Sequence, residues 1–327
     1  MYRYILKRIG MIIPVLLGVS FVIFALMHYA PGDPVRMLLG NSATNEQVEA
    51  MRESMGLNEP LLVQYFIYMK NLLLHGDLGT SYVHGNPVLE LIVQRLPVTI
   101  TLALLGIAFA VILGVPAGII SAVKQYSFVD NFVMVVALLG ISMPNFWLGI
   151  IMILFFSRTL GWFPVSGWSG PISWVLPTIS VGASSAASIA RMTRSSMLEI
   201  IQQDYISTAR AKGQKESVVI LRHGLKNSLI PIITSAGLLF GMLLGGAVVA
   251  ETVFAIPGIG KLMVDAISQR DYPIVTGTAI IIAAMLGLVN LLVDISYAFV
   301  DPRIKSQYRS GKKSKAAKNA KEDEDNE

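Results

Sequence analysis

Residues 98–123 read VTITLALLGIAFAVILGVPAGIISAV and hold no charged side chain. At a rise of about 1.5 Å per residue, a helix of this length crosses a hydrocarbon core of about 30 Å. Five more runs of similar character lie at 9–30, 132–156, 172–190, 229–250 and 274–298. Hydrophobic residues make up 54% of the 327-residue chain and charged residues 14%, against roughly 25% charged in soluble domains. The runs predict an all-α polytopic membrane protein with six transmembrane helices. The first run is expected to stay in the protein, because it is too long for a signal-peptide core and no small-residue cleavage site follows it.

Charge sets the expected orientation. With six crossings and the basic start (Arg3, Lys7, Arg8) in the cytoplasm, 19 of the 26 Lys and Arg residues fall inside. That is the bias of the positive-inside rule, and it puts both termini in the cytoplasm. Residues 61–74 are apolar but short, and they include Gln64, Lys70 and Asn71. Counting them as a crossing would put the basic loops outside, so they are expected to form an external amphipathic helix, with Pro60 at its start and Gly76 past its end. Thr44 and Gln47 have the spacing of a capping box for a helix before it. The expected divisions are a first span (1–30), an external helical cap (31–94), a five-helix core (95–299) and a charged, disordered cytoplasmic tail (300–327).

Between the fourth and fifth runs lies an unusually elaborate loop, about 196–227. It contains Asp204-Tyr205-Ile206-Ser207-Thr208-Ala209-Arg210-Ala211-Lys212-Gly213 and a second segment ending His223-Gly224-Leu225-Lys226. Met197, Ile201, Tyr205 and Ala209 recur at the stride of one helical face. Gly213 is expected to stop that helix with a left-handed cap, and a second helix is expected over 217–227, with Pro231 opening the fifth span. The small residues Ala209, Ala211 and Gly213 leave room for a partner surface, and Arg210, Lys212 and Lys215 suit acidic groups on it. The other reading is a hairpin resting on headgroups, its basic residues meeting lipid phosphate.

Within the spans, Gly237, Gly241 and Gly245 form a small-residue stripe, which serves either packing inside the chain or the seam with a partner subunit. Gly114, Pro116 and Gly118 are expected to loosen the inner end of the second span. Pro144 falls midway along the third, a hinge candidate, and Asn145 beside it either lines a pathway or bonds another helix. Asp294 is a shallow intramembrane carboxylate, a functional candidate for which snorkelling or pairing with a basic loop residue is the stronger expectation than proton relay. Glu251 is expected to cap the external loop after the fifth span.

Catalytic and metal chemistry find no footing. The chain has no cysteine, and His28, His75, His84 and His223 show no ligand spacing. A phosphate loop needs glycines followed by Gly-Lys-Ser/Thr, whereas Gly260-Lys261 runs into Leu262 and Gly311-Lys312 into Lys313. No nucleophile, acid and histidine constellation appears either.

The loop resembles that of the permease subunits of bacterial ATP-binding-cassette importers, in their dipeptide/oligopeptide branch. The superfamily signature there is Glu-Ala-Ala, three residues, Gly, nine residues, then Ile-x-Leu-Pro. Gly213 fits, while Ser207-Thr208-Ala209 and Lys226 depart from the general pattern toward the peptide-branch variant. The likeness runs over about 1–305. It includes Pro31-Gly32-Asp33-Pro34, Gly76-Asp77-Leu78-Gly79-Thr80-Ser81, Arg95-Leu96-Pro97 and Ser142-Met143-Pro144-Asn145-Phe146-Trp147. It continues through Arg191 to Glu199, Glu251 to Phe254, Pro257-Gly258-Ile259-Gly260, Arg270-Asp271-Tyr272-Pro273 and Asp301-Pro302-Arg303. The resemblance implies a type I importer permease of MetI-like fold in a prokaryotic cell membrane, with peptide cargo and relatives that carry nickel complexes or glutathione. It implies a second homologous permease, two ATPase subunits, an ATPase-coupling loop of Asp204, Tyr205, Thr208, Ala209, Arg210, Ala211, Lys212, Gly213, His223 and Leu225, an external solute-binding protein, and neither cofactor nor nucleic acid. A stand-alone ion-coupled carrier or channel is the competing class.

Overall fold

The computed structural model describes residues 2–30, 32–40 and 42–300. The charged tail, Asp301-Pro302-Arg303 and Pro31 lie outside them. Among the described residues the regular structure is helical, apart from one isolated bridge between Thr80 and Pro87.

The order is α1 (Tyr2–Tyr29), α2 (Pro34–Leu39), α3 (Asn45–Ser54), α4 (Leu61–His75), α5 (Val88–Val123), α6 (Phe128–Ser142) and α7 (Asn145–Met152). Next come α8 (Pro171–Ile201), α9 (Asp204–Ala211), α10 (Glu216–Val218), α11 (Lys226–Val253), α12 (Ile259–Gln269) and α13 (Tyr272–Val300). π-Helical turns extend α7 over Ile153–Thr159 and join α10 to α11 over Val219–Leu225.

Five of these helices, or helical runs, are long and apolar enough to cross a membrane, and α6 with α7 makes a sixth candidate that is broken. The third span is therefore not the continuous helix expected. It folds by 100° at Met143-Pro144. Proline has no N–H and forces the preceding residue out of the helical region; Met143 is extended and Pro144 starts α7. Two other expectations also change. The fourth span runs on to Ile201, past its expected end at 190, and the loop helix expected through Met197 and Ala209 is cut in two, because Gln203 is extended and separates α8 from α9. The loop's second helix is not separate from the fifth span, and Pro231 lies inside α11 rather than opening it.

The core forms where α5, α8 and α11 meet, around Leu102, Leu176, Val181, Leu243, Ala247, Phe254 and Ile256. The α5–α8 contact is closest at glycine. A Cβ on Gly114 would come 2.6 Å from the Ala186 carbonyl oxygen, and one on Gly118 would press on Ala190 and Thr193. These glycines bring two backbones together instead of loosening a helix end.

The cap is closed by local chemistry. Thr44 and Gln47 make their reciprocal capping box, and Gly76 ends α4 with φ +65°. The helix α4 does not stand clear of the membrane part. The Tyr65 hydroxyl hydrogen-bonds Ser20 Oγ at 2.9 Å and donates to the Leu17 carbonyl at 3.2 Å, half-way along α1.

Candidate functional site

The loop 196–227 folds as a short helix standing on a braced platform. Asp204 begins α9, where a carboxylate suits the positive end of the helix. The Thr208 hydroxyl donates back to the Asp204 carbonyl at 2.9 Å. Gly213 takes φ +74°, with its N–H on the Arg210 carbonyl at 2.9 Å. A β-branched residue is strongly disfavoured in that conformation.

The buried face of α9 is not the one the stride implied. Tyr205 is exposed, while Ile206 and Ala209 are buried against Val219 and Ile200. The break at Gln203 rotates α9 out of phase with α8, so a single stride across 197–209 does not apply. Ala209 therefore fills the hairpin from within and does not leave space outside. Leu225 also turns inward, toward the cluster of Ala122, Met197 and Ile220. The outward face holds Asp204, Tyr205, Thr208, Arg210, Ala211, Lys212 and Gly213.

Polar contacts close the hairpin. Arg210 donates from Nε (3.1 Å) and Nη2 (2.7 Å) to the two oxygens of Glu216. That guanidinium holds the Glu216 carboxyl below its ordinary value. His223 Nε2 lies 2.9 Å from Gln214 Oε1. Asn227 donates to the Tyr205 hydroxyl at 3.2 Å and to the His223 carbonyl at 2.8 Å.

Below the hairpin, Met197 of α8 is fully buried. Gly224 lies against it, and Ser228 Oγ is 3.1 Å from its sulfur. One turn earlier, Arg194 donates from Nε and Nη2, each at 2.7 Å, to the two oxygens of Asp130. The same buried carboxylate accepts from the Ser121 hydroxyl and from the Tyr126 N–H at 2.9 Å. Sequence reading missed Asp130. Its only local signal is the Ser127-x-x-Asp130 spacing of a helix start, which says nothing about a partner 64 residues away.

The other candidates disperse. Val293 of α13 sits against Gly237, and Leu286 and Val289 sit against Gly241, so both glycines pack inside the chain; Gly245 has open space. Pro144 is the corner of the broken span, and the Asn145 carbonyl accepts from Ser180 Oγ at 2.8 Å. Asp294 pairs with Arg8 at 2.9 Å, on the helix α1 and not on a loop. Glu251 is buried at the end of α11. It accepts from the Thr99 hydroxyl at 2.6 Å and the Lys261 N–H at 3.0 Å, so it caps α12. A side chain on Gly258 would collide with that carboxylate.

A proline-cornered pair of apolar helices, close-packed helices at the core and a braced helical hairpin make a polytopic helical membrane protein, and similarity to known proteins gives its class. The chain matches the family of binding-protein-dependent transport system inner membrane components over residues 114–306, and the N-terminal membrane-component family over residues 1–103. It belongs to that family of permeases. It is 43% identical to the dipeptide transport system permease protein DppB of Alkalihalophilus pseudofirmus, over 93% of this chain and 100% of that one. It is also 43% identical to the glutathione transport system permease protein GsiC of Pectobacterium atrosepticum, over 93% and 99%. The fold is similar to that of the MetNI methionine ABC transporter in inward-facing conformations, with a TM-score of 0.55 at 19% identity, over 65% of this chain and 97% of that one.

Proposed function

We propose that this chain is one of two homologous permease subunits in an ATP-driven, binding-protein-dependent importer of short peptides. On this reading α9 docks into a groove of a partner ATPase, which supplies the energy, and residues 31–94 form the face that receives a solute-binding protein. Both termini are cytoplasmic, α6 and α7 together make the third crossing, and residues 95–299 form the permease core. The observation that carries the reading is the outward face of α9. It presents Tyr205, Thr208 and Ala211 of a short helix, with Lys212 and Gly213 at its end, and the helix's inner face is packed on Ile200 of α8 and Val219 of the π-helical turn before α11. A helix held this way moves as a unit, and two-state rocking of the bundle would expose the path alternately to each side.

Short peptides are the cargo class because the relatives include dipeptide, peptide and glutathione permeases, and glutathione is itself peptide-like. The deciding experiment compares uptake after ATP depletion with uptake after collapse of the proton gradient. Loss only on ATP depletion is expected. Loss only on gradient collapse would make the chain an ion-coupled carrier. Gly213→Val is expected to insert into the membrane normally and to abolish uptake, since valine resists the φ of +74°.

A further inference from the structure

We infer that Asp130 is a positioning residue that makes the inner ends of α5, α6 and α8 a single block, so that movement of α9 reaches the transmembrane bundle undiminished. This rests on the docking role proposed for α9.

Three features carry it. First, one carboxylate joins four parts of the chain: its own helix α6, Ser121 on the last turn of α5, the Tyr126 N–H in the connecting turn, and Arg194 on α8. Tyr126 takes φ +62°, so the turn that presents its N–H is held in a conformation uncommon for a non-glycine residue. Second, Arg194 stands about 11 Å before the end of α8 at a rise of about 1.5 Å per residue, and α9 follows after Gln202 and Gln203. Third, the neighbouring contacts are close and rigid: Gly118 of α5 lies under Ala190 and Thr193 of α8, and Met197 joins Ala122 and Ile220.

A bidentate guanidinium–carboxylate pair fixes orientation as well as distance. It therefore resists the rotation of α8 against α6 that apolar packing alone would permit. The fold of α6 onto α7 lies at Met143-Pro144, beyond this block. The bundle thus has a stiff inner end and a corner farther along the same span.

The chain has no cysteine, which permits a direct test in the assembled, reconstituted importer. Cargo taken up per ATP hydrolysed is measured for Asp130→Asn and for Asp130→Cys/Arg194→Cys. Both are expected to keep ATP hydrolysis and to lose uptake per ATP several-fold, because the α9 face is untouched. A short bifunctional thiol cross-linker, added after assembly, is expected to restore the ratio in the double-cysteine protein. A defect in folding would not be repaired at that stage. Unchanged coupling in Asp130→Asn, or no recovery once the cross-link is shown to have formed, overturns the inference. Gly213→Val run in parallel separates the two ideas. If it uncouples while Asp130→Asn does not, only the block fails; if both variants couple normally, the docking role fails as well.

Discussion

Two buried carboxylates hold the two ends of this permease, and they do it with different chemistry. On the hairpin side, Asp130 is met by the guanidinium of Arg194. On the cap side, Asp271 is fully buried. It accepts from the Ser81 hydroxyl at 2.5 Å and from the N–H groups of Tyr82 (3.1 Å) and Val83 (3.2 Å). Around it Arg270 packs on Gly32, Pro273 on Gly79 and Tyr272 near the Tyr82 ring. Backbone donors tie a carboxylate to one loop conformation, so the cap-side node fixes a shape. A guanidinium on a long side chain ties whole helices together and tolerates their joint displacement. The cap-side node thus orders a loop, whereas the hairpin-side node joins helices.

The two ends should break differently. The largest effect is expected from Asp130→Ala. It removes the one acceptor shared by the Ser121 hydroxyl, the Tyr126 N–H and two Arg194 donors, at roughly 1–3 kcal/mol for each group left buried and unsatisfied, and it should lower the unfolding midpoint in detergent. Asp271→Ala comes next: it strands three donors, at roughly 1–3 kcal/mol for a buried unsatisfied group. Its signature is local, namely faster cleavage of residues 76–87 by added protease with the inner hairpin still protected. If both variants unfold the chain globally, the contrast between a loop-ordering node and a helix-joining node fails. Gly118→Val sharpens the inner side further. It drives side-chain atoms into the α8 backbone and is expected to cost about 1–3 kcal/mol through overpacking, read as a lower yield of folded protein.

The smallest effect is expected at the surface of the hairpin. Arg210 and Glu216 are exposed, and exposed pairs contribute little. Arg210→Gln should leave the unfolding midpoint within scatter. Because Glu216 is held below its ordinary value, the pair supports the hairpin above that value and its support is lost as pH falls through the lowered one. Amide exchange of α9 should therefore rise only in acid. The cap node behaves oppositely at high pH. Burial, and next the Asp271 carboxylate, push the Tyr82 phenol up to about 12, so protease protection of residues 76–87 should not change between pH 7 and pH 10.

Much of this organisation is legible in the sequence, because its causes are local. Uncharged runs longer than the bilayer name the spans, Thr44 with Gln47 names a helix start, and Gly213 names the end of α9. The motifs Gly76 to Ser81 and Arg270 to Pro273 are separately visible as family-like stretches, but their meeting at Asp271 is not. The glycine stripe shows the limit well. Spacing says that Gly237, Gly241 and Gly245 share a face, yet the facing helix is chosen by the packing of α13, which reaches two of the three and leaves the third open.

The sequence alone determined that this is a membrane permease with a helical hairpin between its fourth and fifth apolar runs, because a residue's affinity for lipid and its turn geometry are properties of its own neighbourhood. Tertiary structure decided the 100° corner at Pro144, the inward turn of Ala209, and the partners of Asp130, Asp294 and Glu251. A buried charge must find its counterpart wherever the packed helices bring one within about 3 Å. That position is fixed by the three-dimensional arrangement of segments far apart along the chain.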